Sequence, residues 1–136
     1  YARRQWSLRD NDKLLYHDLA VFDEAMIRLI KSEKKFNELP IEKVWDNEGD
    51  QLVAYKRKNL LFVFNFNGQK SFVDYGILIK KGTYEVVLDT DDKQFGGFGF
   101  NDNKVQHITQ PSHLKNKEWL RLYIPSRSAM VLRLKQ

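Results

Sequence analysis

The sequence predicts a mainly β protein, an antiparallel β-sandwich preceded by an α-helical segment. Three observations predict it. Apolar residues recur at helical spacing before Pro40 and with a period of two after it. Turn signals then punctuate the chain at short intervals. The run Leu60-Leu61-Phe62-Val63-Phe64-Asn65-Phe66 is apolar on both faces, as a strand at the centre of a layered structure must be.

Taken in order, residues Tyr1 to Leu8 are basic and aromatic without a period. Asp10-Asn11-Asp12 then offers helix caps, and Leu15, Leu19, Phe22, Met26, Leu29 and Ile30 form one apolar stripe. The predicted helix runs from about Asp12 to about Lys34, as one helix or as two shorter ones broken near His17 that give a similar stripe, and a length of about 30 Å needs a surface to lie on. A polar run, Lys31 to Lys35, and Pro40 close it. The change of period puts a boundary there, giving a helical lead over 1–40 and a β module over 41–136.

The predicted strands are Glu42 to Asp46, Gln51 to Arg57, Leu60 to Phe66, Val73 to Ile79, Thr83 to Asp89, Val105 to Thr109, Trp119 to Ile124 and Ala129 to Lys135. Asn47-Glu48-Gly49-Asp50, Lys58-Asn59, Asn67-Gly68, Lys81-Gly82 and Pro125-Ser126 supply the turns. Short strands with tight turns argue for antiparallel pairing rather than a parallel α/β sheet. Within Leu60 to Phe66, Phe62, Phe64 and Phe66 are expected to fill the sandwich core. Leu61 and Val63 then fall under a second layer, either the helix or a neighbouring domain. The run Gly96-Gly97-Phe98-Gly99 reads as a loop that Phe95, Phe98 and Phe100 anchor to the core.

Composition bounds the function classes. The 136 residues, 42% hydrophobic and 13% aromatic, suffice for one domain with a real core. No apolar run reaches the roughly 18 residues of a membrane span, so a soluble protein without a membrane partner is expected. The absence of cysteine favours a reducing compartment. The chain opens on Tyr1 rather than Met, which predicts a piece of something longer at the amino end. Its net charge of +5 sits in short clusters at turns, Lys34-Lys35, Lys56-Arg57-Lys58 and Lys80-Lys81, with no nucleic-acid recognition motif beside them. No nucleic-acid partner is expected.

Catalytic chemistry finds no support. His17, His107 and His113 are scattered, and no metal-ligand spacing accompanies them. Asp89-Thr90-Asp91-Asp92 gathers carboxylates but lacks the spacing of a calcium loop and reads as a charged strand end. Ser7 and Ser126 have no nucleophile-elbow context. No catalytic residue, metal site or cofactor is therefore assigned. Aromatic side chains remain as sugar platforms. On the strand Trp119 to Ile124, alternation leaves Trp119, Arg121 and Tyr123 together on the face away from Leu120, Leu122 and Ile124. These three are the candidate carbohydrate contacts, with packing against a neighbouring domain as the other reading. Trp45 and Trp6 are weaker candidates of the same kind.

Several ordered blocks carry a resemblance. They are residues 1–8 (Tyr-Ala-Arg-Arg-Gln-Trp-Ser-Leu), Phe22 to Met26, Leu61 to Phe66, Asp74-Tyr75, Val87 to Asp91 with Phe95 to Phe98, and Tyr123 to Arg127. In this order the chain resembles the carboxyl end of the 1,4-α-glucan (glycogen) branching enzymes of the α-amylase superfamily, nearer the eukaryotic type than the common bacterial one. Asn67 and the segment Gly99 to Asn103 depart from the family pattern.

The resemblance implies that the helical lead is the end of a catalytic (β/α)₈ barrel and the β module the amylase-type all-β carboxyl-terminal domain. It implies a cytoplasmic enzyme of glycogen synthesis that transfers α-1,4-glucan chains to 6-hydroxyls. The partners implied are the upstream barrel and α-glucan. Such a barrel needs about 250 residues, and retaining glycosyl transfer needs two carboxylates about 5 Å apart on a rigid frame. The chain has room for neither, so alone it is expected to be inactive. The other reading is an independent β-sandwich carbohydrate-binding module.

Overall fold

A computed structural model describes residue 21, residues 24–33 and residues 38–135. Helix α1 covers residues 24–32 of these. The predicted start of the helix near Asp12 and its stripe residues Leu15, Leu19 and Phe22 lie outside the described residues. Eight strands follow: β1 (Glu42–Asn47), β2 (Leu52–Arg57), β3 (Leu60–Asn65), β4 (Phe72–Ile79), β5 (Thr83–Asp89), β6 (Gln106–Ile108), β7 (Glu118–Ile124) and β8 (Ser128–Lys135). Each predicted strand is present, with ends moved by a residue or two.

The strands form two antiparallel layers. Six make one sheet in the order β1-β2-β3-β8-β5-β6, and β4 pairs with β7 in a second. Between the sheets lies the main core. Leu52, Ala54, Leu61, Val63, Tyr84, Met130, Leu132 and Leu134 face it from the larger sheet, and Phe72, Ile77, Ile79, Leu120, Leu122 and Ile124 from the smaller. A second apolar cluster lies on the other side of the large sheet. There Leu60, Leu88 and Val131 are buried under Ala25, Met26, Leu29 and Ile30 of α1, with Phe62 and Phe95 beside them.

Strand β3 is therefore covered along its core face and at the Leu60 end of the other, with the faces exchanged relative to the sequence reading. Leu61 and Val63 fill the sandwich core, while Phe62 lies towards α1, Phe64 is half-buried and Phe66 is 66% exposed. The register explains the exchange. Val63 sits opposite Ala54 and Met130, and Leu61 opposite Leu132, so the odd-numbered face continues a sheet of aliphatic side chains. The aromatic face neighbours Tyr55 on one side and is flanked by Arg133 on the other, so it is the amphipathic side of the sheet. Asn65, a polar residue on the core face, made that face look like the outer one. It is buried because its amide donates to the carbonyls of Lys70 and Pro125, both at 3.0 Å, where the two layers meet.

At the end of α1, Glu33 fixes the helix to the sheet. Its Oε1 accepts from Arg133 Nε and Nη2 at 3.0 and 2.7 Å, and Lys58 Nζ lies 3.5 Å from Oε2. Burial alone works to raise the Glu33 pKa, but the two cations hold it below the ordinary glutamate value.

Candidate functional site

Strand β7 alternates as its sequence requires. Leu120, Leu122 and Ile124 are buried in the core, leaving Trp119, Arg121 and Tyr123 together on the outer face of the small sheet. All three predicted contact residues thus share one face. Trp119 and Tyr123 are half-buried and Arg121 is exposed.

The Trp119 ring lies across Gly76 on the neighbouring strand, where a Cβ would come within 2.9 Å of the ring. Glycine in a strand interior weakens the strand, and close approach of another group is the usual reason for it. Trp45 of β1 meets Trp119 edge-on, with ring centroids 6.3 Å apart at 70°. Trp45 Nε1 donates to the Tyr75 hydroxyl at 3.1 Å, and that hydroxyl donates to Asp50 Oδ2 at 2.8 Å. Burial raises the Tyr75 pKa, opposed by the Trp45 N–H and reinforced by the bond to Asp50. The hydroxyl therefore stays protonated at neutral pH, and the chain Trp45–Tyr75–Asp50 holds the aromatic corner in one arrangement. Arg121 lies 3.7 Å from Asp74, a surface pair worth little energetically that limits where the guanidinium points. Asp74 itself has φ 54 at an irregularity in β4 between Phe72 and Tyr75.

Of the site neighbours, Trp45 was a weak sequence candidate, whereas Tyr75 and Gly76 were not singled out as contacts. An isolated glycine within a strand pattern was the available signal for Gly76. Trp6 lies outside the described residues.

Opposite the Trp119 end, the acidic segment is a structural knot. Asp89 is buried at the end of β5. Its Oδ1 accepts from the Asp91 N–H and its Oδ2 from the Asn101 amide, both at 2.9 Å. Asp91 Oδ2 accepts from the Asn101 N–H at 2.9 Å, and its carbonyl accepts from the Gly99 N–H at 2.7 Å. A Cβ on Gly97 would lie 2.2 Å from the Asp91 backbone, so only glycine fits there. Burial pushes the Asp89 carboxyl up to about 6, against the two donors that favour its charged form. Both carboxylates are thus engaged in shaping the loop over residues 90–104. The loop does not bury all its aromatics as expected. Phe95 packs against the second cluster, but Phe98 and Phe100 are 49% and 66% exposed and stack on each other at 5.2 Å. The knot holds the backbone, so anchoring by those rings is not required.

Among the described residues no group of three or more His, Cys, Asp or Glu is placed to hold a metal ion. No helix among them is long and apolar enough to cross a membrane.

Comparison with known proteins places these features in a family. Residues 44–135 match the family described as the alpha amylase C-terminal all-beta domain. The whole chain aligns with the 1,4-alpha-glucan-branching enzyme of Saccharomyces cerevisiae at 39% identity, over 20% of that protein's length. The 1,4-alpha-glucan-branching enzyme of Emericella nidulans aligns at 38% identity over all of the chain and 20% of its own length. That of Yarrowia lipolytica aligns at 39% identity over 96% of the chain and 19% of its own length. The chain therefore spans about a fifth of the length of these relatives and matches their carboxyl-terminal part. A match of this kind does not favour a separate carbohydrate-binding module. With its two antiparallel layers and its match over most of its length, the chain belongs to the alpha amylase C-terminal all-beta domain family.

Proposed function

We propose that this chain is the non-catalytic carboxyl-terminal part of a glycogen branching enzyme, a cytoplasmic protein that moves α-1,4-glucan chains onto 6-hydroxyls. The observation that carries the reading is the alignment of the whole chain with a fifth of the length of proteins named for that activity. In this reading the catalytic carboxylates belong to a (β/α)₈ domain upstream. The absence of cysteine supports a reducing compartment.

Two surfaces divide the work. The outer face of the large sheet meets the catalytic domain. Beside α1 it has an apolar groove of about 270 Å³ lined by Ile41, Tyr55, Phe62 and Phe64 with the stems of Lys56 and Arg57, and Phe66 stands exposed next to it. Exposed apolar surface of this kind normally has a protein partner. The outer face of the small sheet, carrying Trp119, Arg121 and Tyr123, touches α-glucan. Trp119, lying across Gly76, offers its ring to the C–H face of a sugar, while Arg121 and the Tyr123 hydroxyl are donors for sugar oxygens.

Branching of amylose tests the reading, followed as loss of the iodine colour. The protein in its natural length is expected to branch, and the 136-residue chain alone is not. Activity of the chain by itself would refute the assignment.

A further inference from the structure

Strand β7 is paired along one edge with β4, and its other edge is met only near the ends. The Trp119 N–H and C=O both bond to Gln110, at 2.8 and 2.9 Å, and the Tyr123 carbonyl accepts from the Asn101 amide at 3.3 Å. Antiparallel alternation sends the Arg121 N–H and C=O towards the same edge. Neither has a partner among the described residues. Beside this edge, between the two sheets, is a cavity of about 130 Å³. Val86, Leu122 and Met130 form its apolar lining, Asn101 and His107 bring polar groups to it, and Tyr123 borders it.

The chemistry of the notch selects its ligand. A free edge one residue long is too short to accept a peptide strand, which needs a run of backbone pairs. Among the described residues no lysine or arginine lines the cavity, and Asp102 does, so an anion is disfavoured. The volume lies well below the ~300 Å³ at which pockets for larger ligands begin, which limits the occupant to one ring. Burial lowers the His107 pKa, so near neutral pH the imidazole is uncharged, with one nitrogen donating and the other accepting. An apolar floor edged by an amide, an imidazole and a carboxylate matches a pyranose, whose C–H face is apolar and whose rim of hydroxyls both donates and accepts.

We propose that this notch holds one glucosyl unit of an α-glucan, as a subsite at the Tyr123 end of the Trp119, Arg121 and Tyr123 face. It rests on the glucan reading given above and adds a place where a chain is gripped rather than only stacked upon.

The Met130 methyl group reports on the notch directly. In the natural-length protein with ¹³C-methyl methionine, the Met130 resonance, assigned through Met130→Leu, is followed during a maltose titration. A saturable shift is expected. Val105 lines the cavity, is 47% exposed and belongs to neither core cluster, so Val105→Trp fills the notch from its mouth. This variant should bind maltose there at least roughly tenfold more weakly, the equivalent of ~1.4 kcal/mol. His107→Ala, which removes a polar group of the lining and touches nothing on the Trp119 face, provides a second variant should the first fail to fold. A Met130 signal that does not move at saturating maltose, or a shift unaffected in whichever of these variants folds, overturns the proposal. If amylose is still branched in that case, only the notch falls. A natural-length protein that neither branches amylose nor binds maltose removes the reading beneath it as well.

Discussion

Gly76 matters because of what it lacks. A methyl group there would meet the Trp119 ring at 2.9 Å, so Gly76→Ala should tilt the ring away from the sheet without removing any sugar contact. Isothermal titration with maltohexaose is expected to show roughly three- to tenfold weaker binding, ~0.7–1.4 kcal/mol, with little change in melting temperature. Unchanged affinity would mean that Trp119 is not the platform. Asp89 gives a pH prediction. Its folded pKa of about 6 lies above the ordinary 3.8, so its contribution to stability is fully present below 3.8 and is lost as pH rises through about 6. The size is on the order of 2–3 kcal/mol at about 1.4 kcal/mol per unit. Asp89→Asn cannot titrate, so its melting temperature should gain on the wild type between pH 4 and pH 7. A constant difference over that range would contradict the assigned shift.

At the scale of elements, α1 is held by packing at its centre and by charge at its end. Glu33→Gln removes the anion shared by Arg133 and Lys58 and leaves both cations partly buried. Urea unfolding at pH 7 should show a loss of about 1–3 kcal/mol. The folded Glu33 pKa is depressed, so this contribution is present above the ordinary value of 4.5 and is lost as pH falls through the folded pKa. The variant and the wild type should therefore converge in acid, the opposite trend to Asp89. Strand identities were legible in the sequence because alternation and turn residues are local. Which face of β3 points inward was not, because both faces are apolar and the answer depends on Ala54, Met130 and Leu132 across the ladder. The same limit hid the Glu33 anchor, whose partner Arg133 is 100 residues away. Trp119, Arg121 and Tyr123 were found together because period two within one strand suffices. Tyr75 and Gly76 join them through a pairing that no short window contains.

For the molecule as a whole, the two outer faces differ in character. The large sheet leaves Tyr55, Phe64 and Phe66 in a row, with Phe66 stacked on Phe64 at 5.9 Å and most of its surface in water. On its own in solution, the 136-residue chain should self-associate through this face. Sedimentation velocity is expected to show a concentration-dependent species that Phe66→Ser shifts towards monomer, and equal behaviour of the two would redirect the docking face elsewhere. The strand order also imposes a schedule. Strand β8 lies between β3 and β5, so until it is made the large sheet exists only as a three-stranded ribbon and a separate hairpin. Folding on the ribosome therefore cannot finish strand by strand. The earlier pieces wait with both inner edges open, and the chain commits to its final form only when residues 128–135 leave the exit tunnel.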